Sequence, residues 1–547
     1  MLNHTDYTNT YLDTRGVIAP SLGPTFTEAL IKGIAPGGGL FVPQVLPRFT
    51  DEELNSLLSL SYQELATTVF KRFGVDMPLN TIDALIKQAY SDNFDDPSIA
   101  PVRTVAPNTH VLELWHGPTS AFKDMALQCM PVFFSATIEL TNAEKIVAEK
   151  PVSAADSSQA NIPTTSSSAE ESAADYLILV ATSGDTGKAA LEGFASRAHT
   201  NIIVFYPFGG VSDIQFKQMA TQLGNNVGVY GVHGNFDDCQ TAVKGAFNDE
   251  AFNAELAATW RLRLSSANSI NWGRLLPQVV YYVSAYLQLL ARGEIACGSP
   301  IDICVPTGNF GNMLACWYAK EIGVPIDRLM CASNDNRVLT DFINSGTYDI
   351  SDRPFILTPS PSMDILVSSN LERQLFELCG RDGQLISSWM DDLRDKRRFT
   401  IDRATFAALR THFSADWVSS NESLETIREV FESCHYLIDP HTAVAWKVAE
   451  RLRHVNPVVI ASTAHWAKFG TDVFRALVAL NAGEPLPDEI AALSGAMLND
   501  HIAHRWGVAP PPQRLAALDT APIRFTEVID GTAEAVKAAV LKWLNRM

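Results

Sequence analysis

The sequence predicts an α/β protein whose parallel-rich sheets are flanked by helices. Continuous apolar runs such as Tyr176-Leu-Ile-Leu-Val-Ala181, Asn201-Ile-Ile-Val-Phe-Tyr206 and Ile301-Asp-Ile-Cys-Val-Pro306 alternate with stretches of helical spacing. Strands covered on both faces read as such runs. Two of the runs end in glycine-containing loops that lead directly into a helical stretch, the place where open α/β sheets bind ligands. A chain of 547 residues exceeds what one hydrophobic core supports, so several domains are expected.

Residues 1–98 read as a small mixed domain. Ala35-Pro-Gly-Gly-Gly-Leu-Phe-Val-Pro43 is a turn feeding a short strand, and helical patterns follow Thr50 and Pro78. Residues 99–380 form the expected ligand-binding α/β domain. His110-Val-Leu-Glu-Leu-Trp115 is a strand, and the change to helical spacing from Ser120 places Lys123 near a helix start. Residues 150–174 interrupt this domain with Ser, Ala, Thr and Glu and almost no large apolar side chains. Such a segment cannot offset its ordering entropy, so a disordered insertion is expected. Helices are expected at 188–198, 212–223 and 313–322, with Val227-Gly-Val-Tyr-Gly-Val232 as a further strand. Residues 381–435 read as a helical lobe. Residues 436–547 read as a C-terminal segment that completes the site, with Val458-Val-Ile-Ala461 as its strand and nothing specific beyond Pro487.

Composition narrows the function classes. With 46% hydrophobic and 19% charged residues the chain reads as an ordinary globular protein. The net charge of −19 argues against nucleic-acid or anionic-membrane partners. A phosphorylated substrate would therefore need positive potential concentrated in a cleft. Eight cysteines without a C-x-x-C pair suggest reduced thiols, not a disulfide frame or zinc site. His116, His441 and His465 lack metal-ligand spacing, so no metal is expected and they read as structural or peripheral. The first residues lack signal-peptide character, and no apolar run approaches the roughly 20 residues that span a bilayer. A cytoplasmic protein is expected.

Five segments carry candidate chemistry. Lys123 lies in Leu112-Glu-Leu-Trp-His-Gly-Pro-Thr-Ser-Ala-Phe-Lys-Asp-Met-Ala, with a tight turn before it and an aromatic beside it. A buried lysine of lowered pKa can act as a nucleophile. In Thr307-Gly-Asn-Phe-Gly-Asn312 the glycines let backbone approach a phosphate at a helix N-terminus. Thr182-Ser-Gly-Asp-Thr-Gly-Lys188 is not a P-loop, since Thr182 and Ala189 stand where Walker A requires Gly and Ser or Thr. It would suit a carboxylate. Ser265-Ser-Ala-Asn-Ser-Ile-Asn-Trp-Gly-Arg274 gathers polar donors around an arginine fork suited to a dianion. Ser462-Thr463 follows a strand, where a hydroxyl points into the same crevice. Taken singly, each has a plainer explanation: a solvated lysine, a tight turn, or helix caps.

Taken in chain order, the segments resemble threonine synthases of the longer microbial and fungal type over roughly residues 1–475. Asp13-Thr-Arg-Gly16, Gly38-Gly-Leu-Phe-Val-Pro43, Gly234-Asn-Phe-Asp-Asp-Cys239, Ser333-Asn-Asp-Asn336 and Asp439-Pro-His-Thr-Ala-Val444 add to the resemblance. It implies a fold-type-II, tryptophan synthase β-like enzyme using pyridoxal 5'-phosphate (PLP). The implied reaction turns O-phospho-L-homoserine and water into L-threonine and phosphate, the last step of threonine biosynthesis. By that resemblance, Lys123 holds the cofactor as a Schiff base and shuttles protons. Gly308, Asn309, Phe310, Gly311 and Asn312 cradle its phosphate, and Thr463 meets its pyridine nitrogen. Thr182, Ser183 and Thr186 bind the substrate carboxylate, while Asn268, Ser269 and Arg274 take the leaving phosphate.

Asp185 and Trp466 depart from the pattern. Many relatives of the wider fold type carry Asn in place of Asp185, where it donates to the cofactor ring oxygen. The expectation here is that Asp185 shares a proton with that oxygen or contacts the substrate ammonium. Trp466 stands where a smaller residue or proline is expected. Competing readings are a PLP-dependent serine/threonine dehydratase or β-replacement enzyme, for which the Asn268/Ser269/Arg274 cluster would have no substrate phosphate, and a non-catalytic binder of a phosphorylated ligand. Family members of this length are often monomeric, so a monomer or weak homo-oligomer is expected.

Overall fold

A computed structural model describes residues 8–148 and 175–547, so the insertion expected at 150–174 lies wholly outside the described residues. The α/β expectation holds. A six-stranded sheet contains β1 (Val102–Ala106), β2 (Thr109–Glu113), β7 (Ile301–Pro306), β8 (Ile326–Ser333), β9 (Phe413–Trp417) and β10 (Val458–Ser462). A five-stranded sheet contains β3 (Asp175–Ala181), β4 (Thr200–Pro207), β5 (Val227–His233), β6 (Leu262–Ser265) and β11 (Val528–Asp530). Their orders are β9-β8-β7-β10-β2-β1 and β11-β5-β4-β3-β6. Every pairing is parallel except β1 with β2.

The helices that frame the cleft are α1 (Lys123–Leu127), α2 (Asp185–Phe194), α3 (Phe236–Phe247), α4 (Trp272–Ala291), α5 (Gly311–Glu321) and α6 (Pro440–Leu452). Fully buried strand residues such as Ile178, Val180, Ile202 and Val204, together with Leu275, Val279 and Tyr282 of α4, place the main core around this long helix. The N-terminal region pairs two short strands, Tyr11–Asp13 and Phe41–Pro43. Its helices Asp51–Ser56 and Tyr62–Arg72 are started by capping boxes at Thr50 and Ser61. Tyr11 docks edge-on against Trp272 at the start of α4, with ring centroids 5.6 Å apart, so this region supports the helix that carries Arg274.

Three spans differ from the sequence reading. Helices expected at 188 and 313 begin earlier, at Asp185 and Gly311. In the first case Thr182 Oγ1 accepts the N–H groups of Gly184 and Gly187, capping the helix from outside it. In the second, Phe310 at φ 62° turns the chain into the helix. Segment 381–435, read as wholly helical, also contains Arg398–Thr400 and β9. β9 joins the edge of the six-stranded sheet beside β8. The tail, unread beyond Pro487, adds β11 to the other sheet. It then packs helix α7 (Ala533–Leu544), through Val536, Val540 and Trp543, into the core of that sheet. Its Trp543 Nε1 donates to the Val227 carbonyl at 3.2 Å.

Candidate active site

A cavity of about 300 Å³ opens between the two sheets, at the carboxyl ends of β3, β7 and β10. Of the residues singled out from the sequence, Lys123, Thr182, Ser183, Thr186, Asn268, Ser269, Arg274, the whole loop Gly308–Asn312 and Thr463 line it. Asp185 does not; it stands behind the wall.

Lys123 enters from the first residue of α1 and is 9% exposed. Burial lowers its pKa to about 8. The nearby Arg274 and Lys468 cations push the same way, and the Asp185 carboxylate opposes them. Its Nζ lies 3.3 Å from Ser362 Oγ. The loop before α1 is tied to the end of β10, because Phe122 N–H donates to the Thr463 carbonyl at 2.8 Å and Ala121 bridges Ala464. The Thr463 hydroxyl is thereby set in the same wall as Lys123 despite a separation of 340 residues.

The loop from β7 to α5 offers an anion cradle. Phe310 caps α5 without any side-chain hydrogen bond to the helix N-terminus, so the first-turn N–H groups keep the partial positive charge that favours a phosphate. A Cβ on Gly308 would come within 2.7 Å of the Ser362 carbonyl, so only glycine fits that close approach. Asn312 Oδ1 accepts from Tyr281 OH at 2.6 Å and Tyr282 OH at 2.5 Å. That fixes the amide with its buried Nδ2 unpartnered, a donor awaiting an acceptor. Glycine clearance, a bare helix start and an orphan donor together fit the phosphate of PLP.

Arg274 is buried in the first turn of α4, and burial lowers its pKa to about 10. Its Nη1 donates to the Ala267 carbonyl at 2.9 Å, while its Nε has no partner among the described residues. Asn268 is exposed, and Ser269 Oγ lies 3.4 Å from Ser369 Oγ. Thr182 Oγ1 accepts the Gly184 and Gly187 N–H groups, which leaves only its O–H to offer a ligand.

Asp185 forms a buried ion pair with Lys468, 2.7 Å apart, at 3% and 0% exposure. Gln215 Nε2 donates to the same oxygen at 2.9 Å, and Ser362 Oγ lies 3.3 Å from the other. Burial alone would raise this carboxyl. The Lys468 and Lys123 cations and the hydrogen bonds from Lys468 and Gln215 instead hold it well below the usual carboxylate range. Lys468 and Gln215 thus occupy the carboxylate that the sequence reading directed toward the cofactor ring oxygen or the substrate ammonium. Lys468, Gln215, Ser362, Tyr281 and Tyr282 were missed in the sequence, where each looks like an ordinary surface or core residue. His441, expected to be peripheral, lines the cavity. Its Nδ1 pairs with Asp439 at 2.6 Å, and its Nε2 accepts the Ser362 N–H at 3.1 Å.

A buried lysine beside a helix-terminal anion cradle, in a cleft between two largely parallel sheets, is the arrangement of the fold-type-II PLP class. The family model described as "Threonine synthase N terminus" matches residues 10–90, and "Threonine synthase, C-terminal" matches residues 442–540. The match therefore runs well past residue 475, where the resemblance read from the sequence ended. Threonine synthase of Pseudomonas aeruginosa is 37% identical over 493 residues, covering 88% of this chain and 93% of that protein. The PLP-bound threonine synthase structure from Brucella melitensis aligns over 98% of this chain and 99% of its own, with TM-score 0.79 and 34% identity. Threonine synthase-like 1 of Homo sapiens is 44% identical over 462 residues, 83% of this chain. This chain spans only 58% of the length of that relative. The chain belongs to the threonine synthase family. Among the described residues no helix is long and apolar enough to cross a membrane.

Proposed function

We propose that this protein is a PLP-dependent lyase that converts O-phospho-L-homoserine and water into L-threonine and phosphate. The observation that carries the reading is that one cavity brings together a buried lysine and two separate groups suited to anions, the Gly308–Asn312 loop and Arg274. One would hold the cofactor phosphate and the other the substrate phosphate, which a dehydratase or β-replacement enzyme would not need.

When bound, the cofactor supplies the electron sink that acidifies carbon next to the substrate amine. Lys123 would hold it covalently, with the Gly308–Asn312 backbone, the Asn312 amide and the Thr463 hydroxyl fixing its position. A pKa of about 8 leaves the Lys123 amine able to accept a proton and to return it near neutral pH. Thr182, Ser183 and Thr186 would orient the substrate carboxylate through hydroxyl and helix-start donors. Arg274, with Asn268 and Ser269, would stabilise charge on the departing phosphate.

The deciding assay measures inorganic phosphate released from phosphohomoserine, with L-threonine as the other product. Release by wild type and none by Lys123→Ala supports the reading. Turnover of serine or threonine with no release from phosphohomoserine would replace it with a dehydratase. Borohydride reduction followed by peptide mapping should place the pyridoxyl label on Lys123.

A further inference from the structure

The cavity is lined by three cations, Lys123, Lys244 and Arg274, and by no Asp or Glu. That is a large local bias in a chain with 61 acidic and 42 basic residues. Lys123 and Arg274 have roles above; Lys244 has none. It lies on α3 with Phe236 and Gln240, and the spacing of four residues puts all three on one face of the helix. All three line the same cavity as Asn268, Ser269 and Arg274.

A surface lysine commonly sits one helical turn from an acid. Here the neighbours at that spacing are Gln240, Thr241, Phe247 and Asn248. Among the described residues none makes a hydrogen bond or ion pair with the Lys244 ammonium. The residue is exposed, unlike Arg274. The two cations therefore differ in kind: Arg274 is a fixed planar fork, and Lys244 is a point charge on a flexible stem.

We infer that Lys244 is a specificity-determining residue of the substrate phosphate subsite, a second cation that meets the phosphate dianion across the cavity from Arg274. Gln240, one turn earlier on the same face, supplies an uncharged donor beside it. The inference rests on the proposed reaction and extends it. An exposed, mobile cation suits a group that must enter as a phosphoester and leave as free phosphate. The buried arginine suits the part of the subsite that never rearranges.

The test uses PLP-loaded enzyme in a buffer without phosphate, with inorganic phosphate as the probe in titration calorimetry. With the cofactor site filled, the titration reports on the second anion site. Lys244→Ala should weaken phosphate binding, and lower kcat/KM for phosphohomoserine, by about tenfold, the scale of one lost charge-assisted contact. Lys244→Arg should recover most of both. The cofactor absorbance and the thermal midpoint should match wild type, which separates the effect from misfolding. Phosphate affinity and kcat/KM within twofold of wild type in Lys244→Ala would overturn the inference. Failure of the underlying reading looks different, since wild type itself would then release no phosphate from phosphohomoserine.

Discussion

The two walls of the cavity, one proposed above to hold the cofactor (the cofactor side) and the other the substrate (the substrate side), are restrained to different degrees. On the cofactor side, Asn312 is clamped by two tyrosine hydroxyls, Gly308 is pressed against Ser362, and Thr463 is tied to the loop before Lys123. On the substrate side, Asn268 and Lys244 are exposed, and Ser183 and Thr186 are half-buried. Arg274 is anchored there through the Ala267 carbonyl and Thr182 through the Gly184 and Gly187 N–H groups. Preorganisation serves a group that stays bound, whereas a wall that admits and releases ligand must keep some freedom. The contrast teaches that one buried cation can position a site whose other donors remain adjustable.

The sharpest way to break this comparison is at Lys123, where both walls converge. Lys123→Ala should lower phosphate release from phosphohomoserine by at least about 10³-fold, the upper range for loss of a proton-transfer group. Retained turnover would show that another base acts. Next comes the rigid layer behind the wall. Lys468→Met leaves Asp185 buried without its direct ion-pair partner and should cost about 3 kcal/mol in urea unfolding. The double variant Asp185→Asn/Lys468→Met should recover most of that loss. An additive double variant would mean that the two groups do not act as a pair.

On the adjustable side, Arg274→Ala removes the one fixed cation and should raise KM for phosphohomoserine at least about thirtyfold. An unchanged KM would move the substrate phosphate elsewhere. A smaller, graded effect comes from pH. The neutral Lys123 amine is the reactive form, and its pKa is lowered to about 8. The rate of cofactor uptake by apoprotein should climb by about tenfold per pH unit below 8 and level off above it. Because the Asp185 carboxylate raises that pKa, Asp185→Asn should move the plateau to lower pH. The smallest change is Tyr281→Phe, which deletes one clamp on Asn312 while Tyr282 remains. About 1 kcal/mol, or roughly fivefold weaker retention of cofactor, is expected by equilibrium dialysis.

Much of this was legible from residue order alone. Continuous apolar runs such as β3, β4 and β7 can be satisfied only in a sheet covered on both faces. A glycine loop after such a strand has a small choice of conformations, so the strand–loop–helix setting of Gly308–Asn312 and Thr182–Thr186 could be read from the sequence. β9 was hidden because it is an edge strand of five residues between long charged helices, where helical periodicity dominates the local signal. The tail after Pro487 gave no pattern, yet it closes one edge of the five-stranded sheet.

Local chemistry thus determined which side chains could touch anions, since hydroxyls, glycines and an arginine at helix starts carry that capacity wherever they lie. Tertiary structure alone decided the charge states and the second layer. The lowered pKa values of Lys123 and Asp185 and the pairing of Asp185 with Lys468 depend on desolvation and on contacts between residues far apart in sequence. Such electrostatics depend on distance in space and on exclusion of water, and neither is written in the order of residues.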